Sequence, residues 1–178
     1  MKIYSQLLSI AILLISCSTT DSVSFEELTI EKTNSSDVYS YAGQRYSGRV
    51  FQYAEGSENL VLDFNVLNGL LHEDYNELYL NGNPKRIAFF DAGLLNGLEE
   101  KYYENGQLKE SVNYIKGNFN GKRMVYWING ILKEQNSFRN GILGGENLFY
   151  FSDGKLRKRL KFDQSGKRDG IWEDFYSN

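Results

Sequence analysis

The chain has 178 residues, a formal net charge of −3 and a mean hydropathy of −0.48. One His and one Cys exclude a zinc cluster, a disulfide framework and a CxxC redox pair. Aromatics make up 15% of the residues, beside 17 Gly and one Pro, a composition that suits a meander of hairpins rather than a disordered stalk.

Residues 1–16 read as a secretory signal. Lys2 precedes an apolar run from Leu7 to Ile15, about half of the ~20 residues a helix needs to span a bilayer. The run ends in Leu14-Ile15-Ser16-Cys17, which resembles the lipobox of bacterial lipoproteins. The resemblance implies cleavage before Cys17, acylation of its thiol, and an exported protein of the cell envelope held at a membrane by its acyl chains. Ser18 follows the Cys, without the Asp that holds some lipoproteins at the inner membrane, and the sequence does not assign a leaflet. Residues 17–37, rich in Ser, Thr, Asn and acids, read as a flexible tether, with Phe25–Ile30 as a candidate short strand inside it.

Residues 38–178 read as one β-repeat domain. From residue 90 the chain repeats every 24 residues, each unit opening on an aromatic: Phe90, Tyr114, Phe138 and Phe162. Two glycines follow in each unit, Gly93 and Gly97, Gly117 and Gly121, Gly141 and Gly145, expected at turns that need positive φ. Turn dipeptides recur at Asn81-Gly82, Asn105-Gly106, Asn129-Gly130 and Asp153-Gly154, and a base stands three residues beyond each Gly: Lys85, Lys109, Lys133 and Arg157. The unit at Phe162 carries one extra residue before Gly166. Upstream the pattern weakens: Gly69 and Gly82 are thirteen apart where later units have nine, and Tyr46–Gly56 is a fainter copy. Degenerate units to about residue 89 are expected to cap the stack.

The spacing aromatic-x-x-Gly-x-x-x-Gly, a doubled aromatic, then Asn-Gly and a base resembles the bacterial variant of the MORN repeat. Tyr114, Gly117, Gly121, Tyr126-Trp127, Asn129-Gly130 and Lys133 carry it. The resemblance implies an elongated, twisted, single-layer sheet of antiparallel hairpins used for scaffolding or for membrane and partner contact. Some bacterial members carry an antitoxin label, which fits an exported lipoprotein poorly.

Asn-Gly between strands favours a two-residue type I′ turn. On that register Tyr103, Trp127 and Phe151 join Leu108, Leu132 and Leu156 on a core face. Tyr102, Tyr126 and Tyr150 then face solvent opposite Lys109, Lys133 and Arg157, and with Arg159 they form a candidate binding face. A three-residue loop with a Gly bulge would reverse the two ladders. Residues 17–100 carry net −9 and residues 101–178 net +5, so an acidic glycan, lipid or protein partner is expected to prefer the C-terminal half. No cofactor, metal, nucleic-acid partner or catalytic constellation is expected: His72 stands alone, and Glu73-Asp74 and Glu99-Glu100 alternate across a strand. The sequence points to a lipid-anchored binding or scaffolding module, monomeric or weakly associating. An antitoxin-like module and an envelope carbohydrate hydrolase are the alternatives.

Overall fold

A computed structural model describes residues 22–176; the signal segment 1–16, Cys17 and the start of the tether lie outside them. In chain order the strands are β1 (Ser22–Ser24), β2 (Thr29–Lys32), β3 (Asp37–Tyr41), β4 (Gln44–Arg45), β5 (Gly48–Tyr53), β6 (Leu60–Leu67), β7 (Leu70–Leu78) and β8 (Pro84–Asp91). They continue with β9 (Leu94–Leu95), β10 (Gly97–Tyr102), β11 (Leu108–Ile115), β12 (Asn118–Tyr126), β13 (Leu132–Arg139), β14 (Ile142–Tyr150), β15 (Leu156–Phe162) and β16 (Glu173–Asp174). Among the described residues the one helical turn is 3-10, Phe25–Glu27, and no helix is long and apolar enough to cross a membrane.

The expected all-β architecture holds. One open 13-stranded sheet runs β1-β5-β6-β7-β8-β10-β11-β12-β13-β14-β15-β16, with β9 beside β8, and nearly every neighbour is the next strand in the chain. Pro84, which cannot donate to a ladder, sits at the first position of β8.

Two kinds of turn alternate along the sheet. At one edge Asn68-Gly69, Ala92-Gly93, Lys116-Gly117 and Asn140-Gly141 all have both residues at positive φ, with the flanking residues paired across the turn. These are the two-residue type I′ turns. At the opposite edge lie the Asn-Gly and Asp-Gly turns, and here the favoured expectation fails. Only the Gly is at positive φ, Gly106 donates to the Tyr103 carbonyl (2.9 Å), and Tyr103 donates to that of Gln107 (2.8 Å). That is a three-residue loop, a type I turn closed by a glycine in the left-handed region. The cause is local: the Asn105 side-chain oxygen accepts from the Gln107 amide (3.1 Å), and Asn81, Asn129 and Asp153 do the same two residues ahead. This bond holds Asn in a conformation that type I′ would forbid.

The glycines expected at turns divide in the same way. Gly93, Gly117 and Gly141 are turn residues, whereas Gly97, Gly121 and Gly145 stand in or at the start of β10, β12 and β14. Gly121 and Gly145 fall where the pairing of β11–β12 and β13–β14 shifts register, so their positive φ serves β-bulges.

The repeat reaches one unit further upstream than its glycines suggest. Val66, Gly69, Glu73, Tyr79, Asn81-Gly82 and Lys85 stand 24 residues before Phe90, Gly93, Gly97, Tyr103, Asn105-Gly106 and Lys109. Val66 replaces the opening aromatic and Glu73, at φ 62, replaces the second glycine, so the unit is complete in space though disguised in sequence. At the other end the extra residue lengthens the turn: Asp163 donates to the Lys167 carbonyl (2.8 Å) and Gly166 to that of Asp163 (3.2 Å).

For residues 22–37 the tether expectation does not hold. Residues 22–37 are built into the fold: β1 lies parallel to β5, and β2 joins β3 and β4 in a three-stranded sheet that covers one end of the large one. Burial explains this. Val23, Tyr39 and Tyr46 close over Val50, Phe64 and Val66, with Phe64 packed between Tyr39 (5.4 Å) and Tyr75 (5.5 Å). This apolar cluster caps the stack, and the sheet is therefore two layers deep at its N-terminal end rather than single-layered throughout.

Candidate functional site

Each Asn-Gly hairpin carries a bulge, because the second strand has one residue more than the first. Lys101 pairs with Glu110 and Tyr102 with Leu108, so Lys109 is the additional residue. The same shift recurs at Tyr126–Leu132 and Tyr150–Leu156. Every buried residue of β5 to β15 lies on one face, here the inner face: Val50, Phe64, Val66, Ala88, Phe90, Glu99, Val112, Asn136 and Asn147.

The ladders follow from the bulge. Tyr102, Tyr126 and Tyr150 stand on the outer face beside Leu108, Leu132 and Leu156, not opposite bases. Tyr102 donates to Glu100 on the same strand (2.7 Å), and burial with that bond raises its phenol to about 12. Arg159 is also on the outer face, paired with Leu148 and held by Glu146 (3.2 Å) and Glu173 (3.0 Å). Lys109, Lys133 and Arg157 stand on the inner face. The candidate binding set is therefore split across the sheet, and the bases meet the other aromatic column. The Lys109 ammonium lies 5.6 Å from the Tyr103 ring centre, and that of Lys133 lies 4.6 Å from Trp127. Phe151 and Arg157 line one groove.

Further hydrogen bonds tie this column together. The Tyr79 hydroxyl donates to the Tyr102 carbonyl (2.9 Å) and the Tyr103 hydroxyl to that of Tyr126 (2.8 Å). Trp127 breaks the series, its buried Nε1 having no partner among the described residues. Shallow grooves flank the column: one of about 250 Å³ lined by Tyr79, Lys85, Lys101 and Lys109, and one of about 410 Å³ lined by Phe151, Arg157, Phe175 and Tyr176.

Beside it runs a charged ladder that the sequence reading missed. Glu99, 2% exposed, is held by Arg86 (2.7 Å) and Lys101 (3.5 Å) and accepts from the Tyr114 hydroxyl (3.0 Å). Glu110 binds Lys101 (3.0 Å) and Arg123 (2.6 Å), and Arg123 reaches Glu134 (3.4 Å) and the Asn136 oxygen (3.2 Å). Burial pushes the Glu110 carboxyl up, but Lys101 and Arg123 outweigh it and hold the group below the ordinary carboxylate range. A general acid requires the opposite shift. A signal for this ladder was present in the repeat. Positions 24 apart carry opposite charges, Glu77 and Lys101, Arg86 and Glu110, Glu99 and Arg123, so neighbouring units neutralise each other.

His72 faces Asp91 (3.6 Å), and among the described residues no three His, Cys, Asp or Glu side chains converge to hold a metal ion.

Residues 95–116 match the family model of the MORN repeat variant. The match runs from Leu95 at the end of β9 through β10 and β11 with their Asn105-Gly106 turn, most of one 24-residue unit. The matched segment is a strand pair closed by a three-residue loop, joined to its neighbours by type I′ turns. No curated protein matches the chain.

Proposed function

We propose that this protein is a lipid-anchored binding or scaffolding module of the cell envelope, attached through Cys17, whose inner-face column engages an acidic partner. The carrying observation is the base laid on an aromatic ring at successive hairpins, Tyr103 with Lys109 and Trp127 with Lys133, continued by Phe151 and Arg157. Among the described residues none of these three bases forms an ion pair, whereas Lys101, Arg123, Lys158 and Arg159 nearby all do. Their charge is available to a ligand. The small N-terminal sheet covers the other end of the inner face and leaves this part open. An acidic glycan chain or acidic protein segment lying across the strands would meet one cation per hairpin, at intervals of about 10 Å, two strand spacings. Each exposed cation–ring site contributes about 0.5–1 kcal/mol, so affinity requires several at once and falls with salt.

Crosslinking in intact envelopes, followed by mass spectrometry, identifies the partner. The variant K109Q/K133Q/R157Q is expected to lose it while its thermal unfolding stays within a few degrees of wild type, since Lys109 and Arg157 are exposed, Lys133 is only half-buried, and none of the three forms an ion pair among the described residues. Full retention by the triple variant refutes the column as the binding site. Palmitate labelling tests the anchor: a chain whose labelling and detergent partitioning are unaffected by Cys17→Ala is not a lipoprotein.

A further inference from the structure

The edge that carries the type I′ turns differs in chemistry from the opposite one. Beside the four turn dipeptides stand Leu67, Leu94, Ile115 and Ile142, which are 47%, 39%, 46% and 47% exposed. Strand alternation places all four on the outer rim of this edge, on β6, β9, β11 and β14, so that Leu94 and Ile115 stand on adjacent strands about 5 Å apart and Leu67 and Ile142 lie about 14 Å to either side. The charges within these turns are Lys116 and Arg139 against Asp91. At the opposite edge the loop tips are Leu80, Glu104, Ile128 and Ser152, so exposed Leu80 and Ile128 alternate with polar tips in place of a continuous aliphatic row, and Glu55, Glu58, Glu104 and Asp153 stand there beside the bases Lys85, Lys109, Lys133, Lys155 and Arg157.

The chain enters the fold at the aliphatic edge. Ser22 pairs with Arg49 and Ser24 with Phe51, in parallel, and β5 runs from that edge toward the opposite one. Only five peptide links separate Cys17 from Ser22, a reach of at most about 17 Å. Val23 is already buried in the core, so no further chain can be paid out without unfolding the cap.

From these observations we infer that the sheet is mounted edge-on: the type I′ turns, with Leu67, Leu94, Ile115 and Ile142, rest on the lipid bilayer that holds the Cys17 acyl chains. The inference rests on the lipoprotein reading and adds an orientation to it. Aliphatic tips flanked by Lys116 and Arg139 suit the boundary of an anionic bilayer. The aromatic–cation column lies near the opposite edge and is thereby turned away from the membrane.

The test uses full-length acylated protein reconstituted in vesicles of phosphatidylethanolamine and phosphatidylglycerol containing a nitroxide-headgroup lipid. Acylation consumes the native thiol, so a fluorophore can be placed at I115C or I142C on the proposed contact edge, and at I128C on the far edge. The inference expects severalfold stronger quenching at I115C and I142C than at I128C. It also expects the contrast to collapse when the remaining tip aliphatics are changed to Asn. Acylated protein quenched equally at all three sites, or most at I128C, overturns the orientation and leaves the anchor standing. Protein without acyl mass on Cys17 overturns the lipoprotein reading and the orientation with it.

Discussion

Glu73 offers the sharpest test of how this repeat is built. It holds φ 62 at the position where the next units have Gly97, Gly121 and Gly145, and Gly145 holds nearly the same angle, φ 64. The left-handed region costs a residue with a Cβ about 1–2 kcal/mol. Replacing Glu73 by Gly removes that strain but returns about 0.4–1 kcal/mol of backbone freedom to the unfolded chain. The net gain is about 0.5–1 kcal/mol. For a domain of this size one kcal/mol moves the melting temperature by about 2–4 °C, so E73G should melt about 1–4 °C higher. The Glu73 side chain is exposed and, among the described residues, makes no hydrogen bond or ion pair that the change would forfeit. The mirror substitution, Gly145→Ala, should lower the melting temperature by a similar amount. A Cβ there would meet Ser137 Cβ at 3.7 Å, an ordinary contact, so sterics do not confound the comparison. Thermal unfolding followed by circular dichroism reads both. An E73G protein that melts lower than wild type, or a G145A protein that melts at the same temperature, refutes the claim that this bulge position demands a left-handed residue.

Tyr103→Phe removes the hydroxyl that bonds the Tyr126 carbonyl and should cost about 0.5–1.5 kcal/mol, read as a lower urea midpoint at unchanged slope. An unchanged midpoint would show that the hydroxyl ladder along the column contributes nothing. Glu110 gives a pH prediction whose sign is determined by its partners. Its folded carboxyl titrates below the unfolded value, so its stabilising effect is present above the unfolded carboxylate range and is lost as pH falls through the folded value. Glu110→Gln should therefore be less stable than wild type near neutrality, with the difference shrinking in acid; a difference that grows as pH falls contradicts the ladder.

The sequence by itself determined the period, the hairpin character and the glycines that take positive φ, because each depends on residues close together in the chain. A 24-residue spacing of Gly and aromatics is legible without knowing what packs on what. Three matters were decided only by the tertiary structure. The first is which face each side chain takes. Alternation predicts faces only along uninterrupted pairing, and the additional residue at Lys109, Lys133 and Arg157 reverses it midway, moving Leu108 away from Val112 and setting the bases on Tyr103 and Trp127. A hint lay in the loop tips, since Leu80, Glu104, Ile128 and Ser152 share no chemistry, as befits a third loop residue rather than a strand position. The second is where the repeat begins, since Val66 and Glu73 fill their places in space while hiding them in composition. The third is the fate of residues 22–37, whose polar composition suggests a tether. Burying Val23, Tyr39 and their neighbours against Val50 and Phe64 outweighs that composition, through contacts between residues far apart in the chain.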